Sequence, residues 1–204
     1  MAVVRFLIWA REHGHIPGHL DIPRQAPSAG QVITQQRRLD LLRRFATDAA
    51  IPVRPRAAAC LLLLYAQPLS RILRLSAADL SRDDGQTWLR LGDPPSPVPA
   101  PFDTLLHQLA ATRHDHVPAN HGSGWLFPGR HAGQPAAYHS MAAQLRDHGL
   151  PLRTGRISAL RQLVLQVPAS VVADALGFHH TTTTRQHLKA GGPWSQYAGG
   201  DRGP

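Results

Sequence analysis

The stretch ADALGFHHTTTTRQHLK, Ala173–Lys189, decides how the rest of the chain is read. A short apolar helix runs into Gly177, and a second helix opens on Thr181–Thr184. That is the cadence of a helix-turn-helix, which needs a small residue in its first helix, a glycine at the turn and polar residues where its second helix begins. Ala173, Gly177 and the threonines meet those needs, with Arg185 and Gln186 available to bases or phosphates. Any tight helical corner uses the same residues, with Thr182 or Thr183 then serving as a helix cap. At this level the segment is either a DNA reader or a packed corner of a larger helical domain.

Working outward, the whole last third reads as helix, roughly Arg156–Gln166, Ala169–Leu176 and Thr182–Ala190. Before it, AAYHSMAAQLRDHG is an amphipathic helix ending at Gly149, GWLFPG a short extended piece and FDTLLHQLAA a helix. TWLRLG is the best strand candidate, set between RDDG and the proline-broken GDPPSPVPAP. LSRILRLSAADL predicts a short helix sending Leu69, Ile72 and Leu73 to the core, and RPRAAACLLLLYA, apolar all round, predicts the buried central helix. From Val32 to Thr47, Leu39, Leu42 and Ala46 share a face with Leu41 and Phe45 beside it, which leaves Arg37, Arg38, Arg43 and Arg44 outward. Residues 4–14 look like the last turns of a helix ending at Gly14, followed by a linker rich in Pro, Gly and His to about Gly30. There is no internal repeat. The expected fold class is mainly α with a small β element (α+β).

The 204 residues suffice for one domain, or one domain with a short appendage, and the 43% apolar content for a core. No run approaches the roughly 18 apolar residues of a membrane span. The opening MAVVRFLIWAREHGHIPGHL lacks a small-residue cleavage site and reads as a helix rather than a signal peptide. A single cysteine, Cys60, excludes an intrachain disulfide and a cysteine-based metal cluster, so a cytoplasmic setting is expected. The formal charge is +9, and of 22 basic residues only Lys189 is lysine. A GC-rich coding bias would explain arginine in place of lysine, but not the surplus over 13 acids. The arginine fork grips phosphate bidentately, so double-stranded DNA is the expected partner.

Thirteen histidines raise a metal site, in HGHIPGH (His13, His15, His19), HDHVPANH (His114, His116, His121) and the pair His179 and His180. None has the i, i+4 spacing with a glutamate that marks a hydrolytic zinc site, so neither metal nor cofactor is expected.

The order of these elements, with a late helix pair carrying LG followed by threonines, resembles the catalytic domain of the tyrosine recombinases (phage integrases). The resemblance runs from about Gln31 to Lys189. It implies that residues 1–29 are the remnant last helix and linker of a core-binding domain, residues 30–190 the catalytic-domain-like part and residues 191–204 a tail. In that family an Arg/Lys/His set stabilises a pentavalent phosphate while a tyrosine attacks it. The family's first arginine, in a G-x-R-x-S-E-L segment, matches AQPLSRILRL, where Pro68 or Leu69 takes its place and Arg71 falls at the glutamate. No lysine lies in Trp88–Ala100, where the hairpin lysine belongs. The H-x-x-R box matches RTGR, Arg153 standing for the histidine and Arg156 for the arginine. The family's LGH is LGF here, with Phe178 for the histidine, and the nucleophilic tyrosine falls on His187.

The resemblance therefore implies DNA recombination and integration machinery in vestigial form, Arg153, Arg156, Phe178 and His187 marking positions no longer equipped for cleavage. Two routes around that loss are attack through a ring nitrogen of His187 or by a displaced Tyr197. The DNA-contact candidates are Arg156, Arg153, Arg185, Arg71, Arg74 and Lys189. Family tails often dock on a neighbouring subunit, so residues 191–204 are expected either to join copies of the chain or to fold Trp194 back onto their own domain. The alternatives are a small helix-turn-helix regulator using residues 169–190, or an inactive gene remnant.

Overall fold

The computed structural model describes residues 32–112 and 124–191, together with Trp9, His13 and His15. The chain divides into two units, Met1–Gln31 and Val32–Pro204. In the first, the Trp9 ring stacks on His13 at 4.6 Å and the His13 amide donates to Trp9 O at 3.0 Å. The rest of the helix expected over residues 4–14 lies outside the described residues.

In the second unit α1 (Gln35–Thr47) leads into α2 (Val53–Tyr65), which is buried along almost its whole length. Ala57, Ala58 and Ala59 carry no bulk, so neighbouring helices approach α2 closely, while Leu61, Leu62 and Leu63 fill the space at its far end. A one-turn α3 (Leu69–Ile72) and a 3₁₀ turn at Ala77–Asp79 lead into an antiparallel sheet of β1 (Leu80–Asp83), β2 (Gln86–Leu89) and β3 (Ser96–Val98), with β2 central. Leu80 faces Leu89 and Thr87 faces Val98 across the ladders. Then come α4 (Phe102–Thr112), α5 (Tyr138–Asp147), α6 (Leu152–Gln166), α7 (Ala169–Leu176) and α8 (His180–Lys189). Among the described residues the fold is mainly α with one small three-stranded sheet, which is the α+β class the sequence predicts.

Four details differ from the sequence reading. The sheet has three strands where the residues alone pointed to one, because β1 is exposed almost throughout and β3 contains Pro97. Proline is tolerated there because β3 is an edge strand, and Pro97 O accepts the Tyr65 hydroxyl at 2.7 Å. LSRILRLSAADL holds only one turn of α-helix, and GWLFPG pairs back on the segment after it, with the Leu126 amide donating to Leu75 O at 2.8 Å. The inward face of α1 centres on Arg38, Leu41 and Phe45, with Leu42 and Ala46 half-buried against the core beside them. Arg38 is therefore buried rather than outward. Its Nη1 donates at 2.6 Å to Leu63 O, a carbonyl in the last turn of α2 that lacks an intrahelical partner. Finally, α8 starts at His180, and its cap is His179 rather than Thr182 or Thr183. The His179 Nδ1 accepts the Thr181 amide at 3.3 Å, while Thr183 is fully buried and donates its hydroxyl to His180 O at 2.9 Å.

Burial pushes the Cys60 thiol up to about 12, against a smaller opposing pull from the charge of Arg56. The Tyr65 hydroxyl is raised as well, by burial first and then by Cys60. Both groups hold their protons more tightly folded than unfolded. Their contribution to stability is thus complete below the ordinary thiol value of 9.0 and is lost as the pH climbs toward 12. A thiol reagent at pH 8 is expected to leave native Cys60 untouched and to label it promptly in urea. Rapid labelling of the native chain would contradict the burial.

Candidate nucleic-acid interface

The corner after α7 is where the opening stretch acquires its geometry. Gly177 takes a left-handed φ of +61°, which ends α7 and turns the chain into α8. A side chain at this position would meet Leu91 O at 2.4 Å and the Arg71 guanidinium at 2.7 Å. Arg71 is the staple of the corner. Its Nη1 donates to Leu176 O at 2.9 Å and to Gly177 O at 3.0 Å, and its Nη2 donates to Leu91 O. The Gln67 side-chain amide adds a further donor to Leu176 O, at 2.9 Å. These carbonyls close a helix end, where a cation also faces the negative end of the helix dipole. Arg71, a DNA-contact candidate by sequence, thus spends its guanidinium inside the fold.

His187 is likewise engaged. Its Nδ1 lies 2.9 Å from Val164 O. That carbonyl has no helical partner, because the residue four positions on is Pro168, which has no amide hydrogen. A carbonyl only accepts, so Nδ1 carries the proton and His187 completes the end of α6. Gln186 beside it accepts from Arg161 Nε at 3.3 Å, so it too faces α6. Asp174 and His180, on either side of the turn, form an exposed pair at 3.2 Å.

Arg153 and Arg156 lie three residues apart in the first turns of α6 and so share a face. Arg156 Nε donates to Ala66 O at 2.8 Å, and its guanidinium carbon sits 5.8 Å from the centroid of the Phe178 ring. The aromatic side chain thus makes a cation–π contact with the arginine. Burial lowers the Arg156 pKa, yet a guanidinium stays charged in a protein. The two arginines open into a groove of about 510 Å³ between the α2–α3 link, α5 and α6. Pro68, Leu69 and Ser70 form one side, and Tyr138 and Arg146 of α5 another. Among the described residues, three guanidinium groups line it and no carboxylate does.

Of the sequence candidates, the groove gathers Arg153 and Arg156. Arg74 is exposed on the segment after α3, and Arg185 and Lys189 are exposed on α8, one turn apart; none of the three lines the groove. Arg146 was missing from the sequence candidates. The signal available was the short Gly149–Pro151 link, which turns the chain back and sets the end of α5 beside the start of α6. His19, His114, His116, His121, Trp194 and Tyr197 lie outside the described residues. Among the described residues no helix is long and apolar enough to cross a membrane.

The fold is similar to that of solved site-specific recombinases. Solved structures with this fold include XerH recombinase bound to a palindromic difH substrate in a post-cleavage complex, with a TM-score of 0.57 and 15% identity. XerH in a pre-cleavage complex with difH superposes with the same TM-score at 16% identity, and XerA recombinase does so at 13%. The alignments cover 82%, 79% and 97% of this chain, and 52%, 52% and 74% of the respective neighbours. The chain spans about half the length of XerH. No family model and no curated protein sequence matches it.

Proposed function

We propose that the chain is a tyrosine-recombinase-like protein that binds duplex DNA through the groove lined by Arg146, Arg153 and Arg156 and does not cleave it. The observation that carries this reading is that groove: three guanidinium groups and no carboxylate among the described residues, in a fold found in recombinases bound to DNA. Phosphate contacts of this kind position a duplex without reading its sequence. The loss of cleavage rests on the residues at the family's chemical positions. Phe178 is an aromatic neighbour of Arg156 rather than a proton donor, and His187 has one ring nitrogen committed to Val164 O. Without a tyrosyl oxygen there, the covalent step has no attacking group. On the same reading, residues 1–29 are the end of a core-binding domain and residues 191–204 a tail available for subunit contact.

Three phosphates neutralised by three arginines give a slope of about −2.7 for log K against log salt, or about 40-fold weaker binding between 50 and 200 mM salt. Replacing any one of the three with Gln should lower the slope by about 1 and weaken binding equally across sequences. Fluorescence anisotropy with unrelated duplexes tests this, and salt-independent binding, or none at low salt, sinks the proposal. A covalent adduct on a nicked suicide duplex would overturn the claim that cleavage is lost. The exposed Arg185 and Lys189 on α8 favour a second reading, a regulator that reads DNA with that helix. There, Arg185→Ala would relax sequence choice, whereas the groove variants would not.

A further inference from the structure

A second hollow, again of about 510 Å³, lies between the start of α2, the segment 128–137 and α5. It shares no residue with the arginine groove: Ser140 and Gln144 of α5 line this one, Tyr138 and Arg146 the other. Its remaining polar lining includes Arg54, Arg130 and Gln134, and among the described residues it too has no carboxylate.

Arg54 gives this hollow its chemical character. One of its nitrogens, Nη2, donates to Pro128 O at 2.5 Å, while Nε is sealed from solvent without a partner. The ion pairs among the described residues involve Arg43, Arg44 and His180, so none supplies Arg54 with a counter-charge. A half-buried guanidinium with an orphaned N–H and no counter-charge is a cost that the single bond to Pro128 O offsets only in part. An anion bound in the hollow would supply the missing counter-charge at the rest of the guanidinium. The hollow is the size of a small-molecule site, too large for a carboxylate alone. Two guanidinium forks with amide and hydroxyl donors around them suit a tetrahedral group with several charged oxygens.

We propose that the hollow lined by Arg54 and Arg130 binds a phosphoryl group, with Ser140, Gln134 and Gln144 as the neutral donors. That group comes either from the backbone of a nucleic acid or from a free phosphate monoester. This inference stands apart from the arginine groove and from whether the chain binds DNA there.

The test is thermal unfolding of the full chain in inorganic phosphate against chloride at matched ionic strength. A saturable rise in Tm is expected, about 5–10 °C at a hundredfold excess over Kd. Arg54→Gln also removes the bond to Pro128 O and can unfold the chain, so the decisive variants are Arg130→Gln and Gln144→Glu. Both positions are exposed, and both variants should melt like the parent in chloride but lose the phosphate shift. If the source is DNA, phosphate competes with duplex and Arg130→Gln lowers the salt slope by about 1. If the source is a free monoester, Arg130→Gln leaves duplex affinity unchanged. No saturable rise in the parent, or a rise undiminished in both variants, overturns the proposal.

Discussion

Alanine at Gly92 is expected to remove a large share of the chain's stability. The added Cβ would lie 1.9 Å from Asp174 O, 2.6 Å from Gly177 N and 2.8 Å from Ala175 C. All three are backbone atoms at the end of α7, so no side chain can swing aside to relieve the contact. The next residue holds the same place, since the Asp93 amide donates to Asp174 O at 3.0 Å. Relief requires the strand exit and α7 to part, which would also break the Arg71 grip on Leu91, Leu176 and Gly177. We expect a loss of more than ~4 kcal/mol, against a total stability of about 5–15 kcal/mol for a typical domain. Gly85 is the control, with φ +79° and nothing within 4 Å of where an added Cβ would lie; alanine there should cost only about 1–2 kcal/mol. Urea unfolding followed by circular dichroism checks both, and a Gly92→Ala midpoint near that of Gly85→Ala would refute the packing argument.

Arg71→Met is expected to cost about 3 kcal/mol, because the Leu91 and Gly177 carbonyls lose their Arg71 donor and only Leu176 O keeps the Gln67 amide. Methionine preserves much of the apolar stem, so the loss reports the hydrogen bonds more than the packing. Below its melting range the variant should bind duplex with the parent's salt slope. This separates Arg71 from the groove arginines, whose replacement should change the slope. An Arg71→Met protein as stable as the parent but with a reduced slope would return Arg71 to the DNA contacts.

Periodicity made most of the helical frame legible in the sequence. α2 is the clearest case: RPRAAACLLLLYA has no polar face, and a helix without one must be central. α4, α5 and α7 were legible on the same ground. β1 and β3 were not, because a mostly exposed strand and an edge strand holding a proline carry no alternation to read. Arg38 misled for a related reason. A charge on an amphipathic helix is read as outward, and only the position of Leu63 O reveals the buried acceptor that draws it in.

The sequence by itself determined the class of fold and the basic surplus. Those follow from composition and order along the chain. Only the tertiary structure decided which arginines act together. Arg71, three residues from Arg74, is held by carbonyls more than a hundred residues away, while Arg146 lines one groove with Arg153 and Arg156. The opening stretch follows the same rule: its corner is closed by Arg71 from outside the stretch, and its histidine by Val164 O on another helix. A guanidinium is committed or free according to which acceptors the fold brings within about 3 Å, and that distance is set by packing rather than by neighbours in sequence.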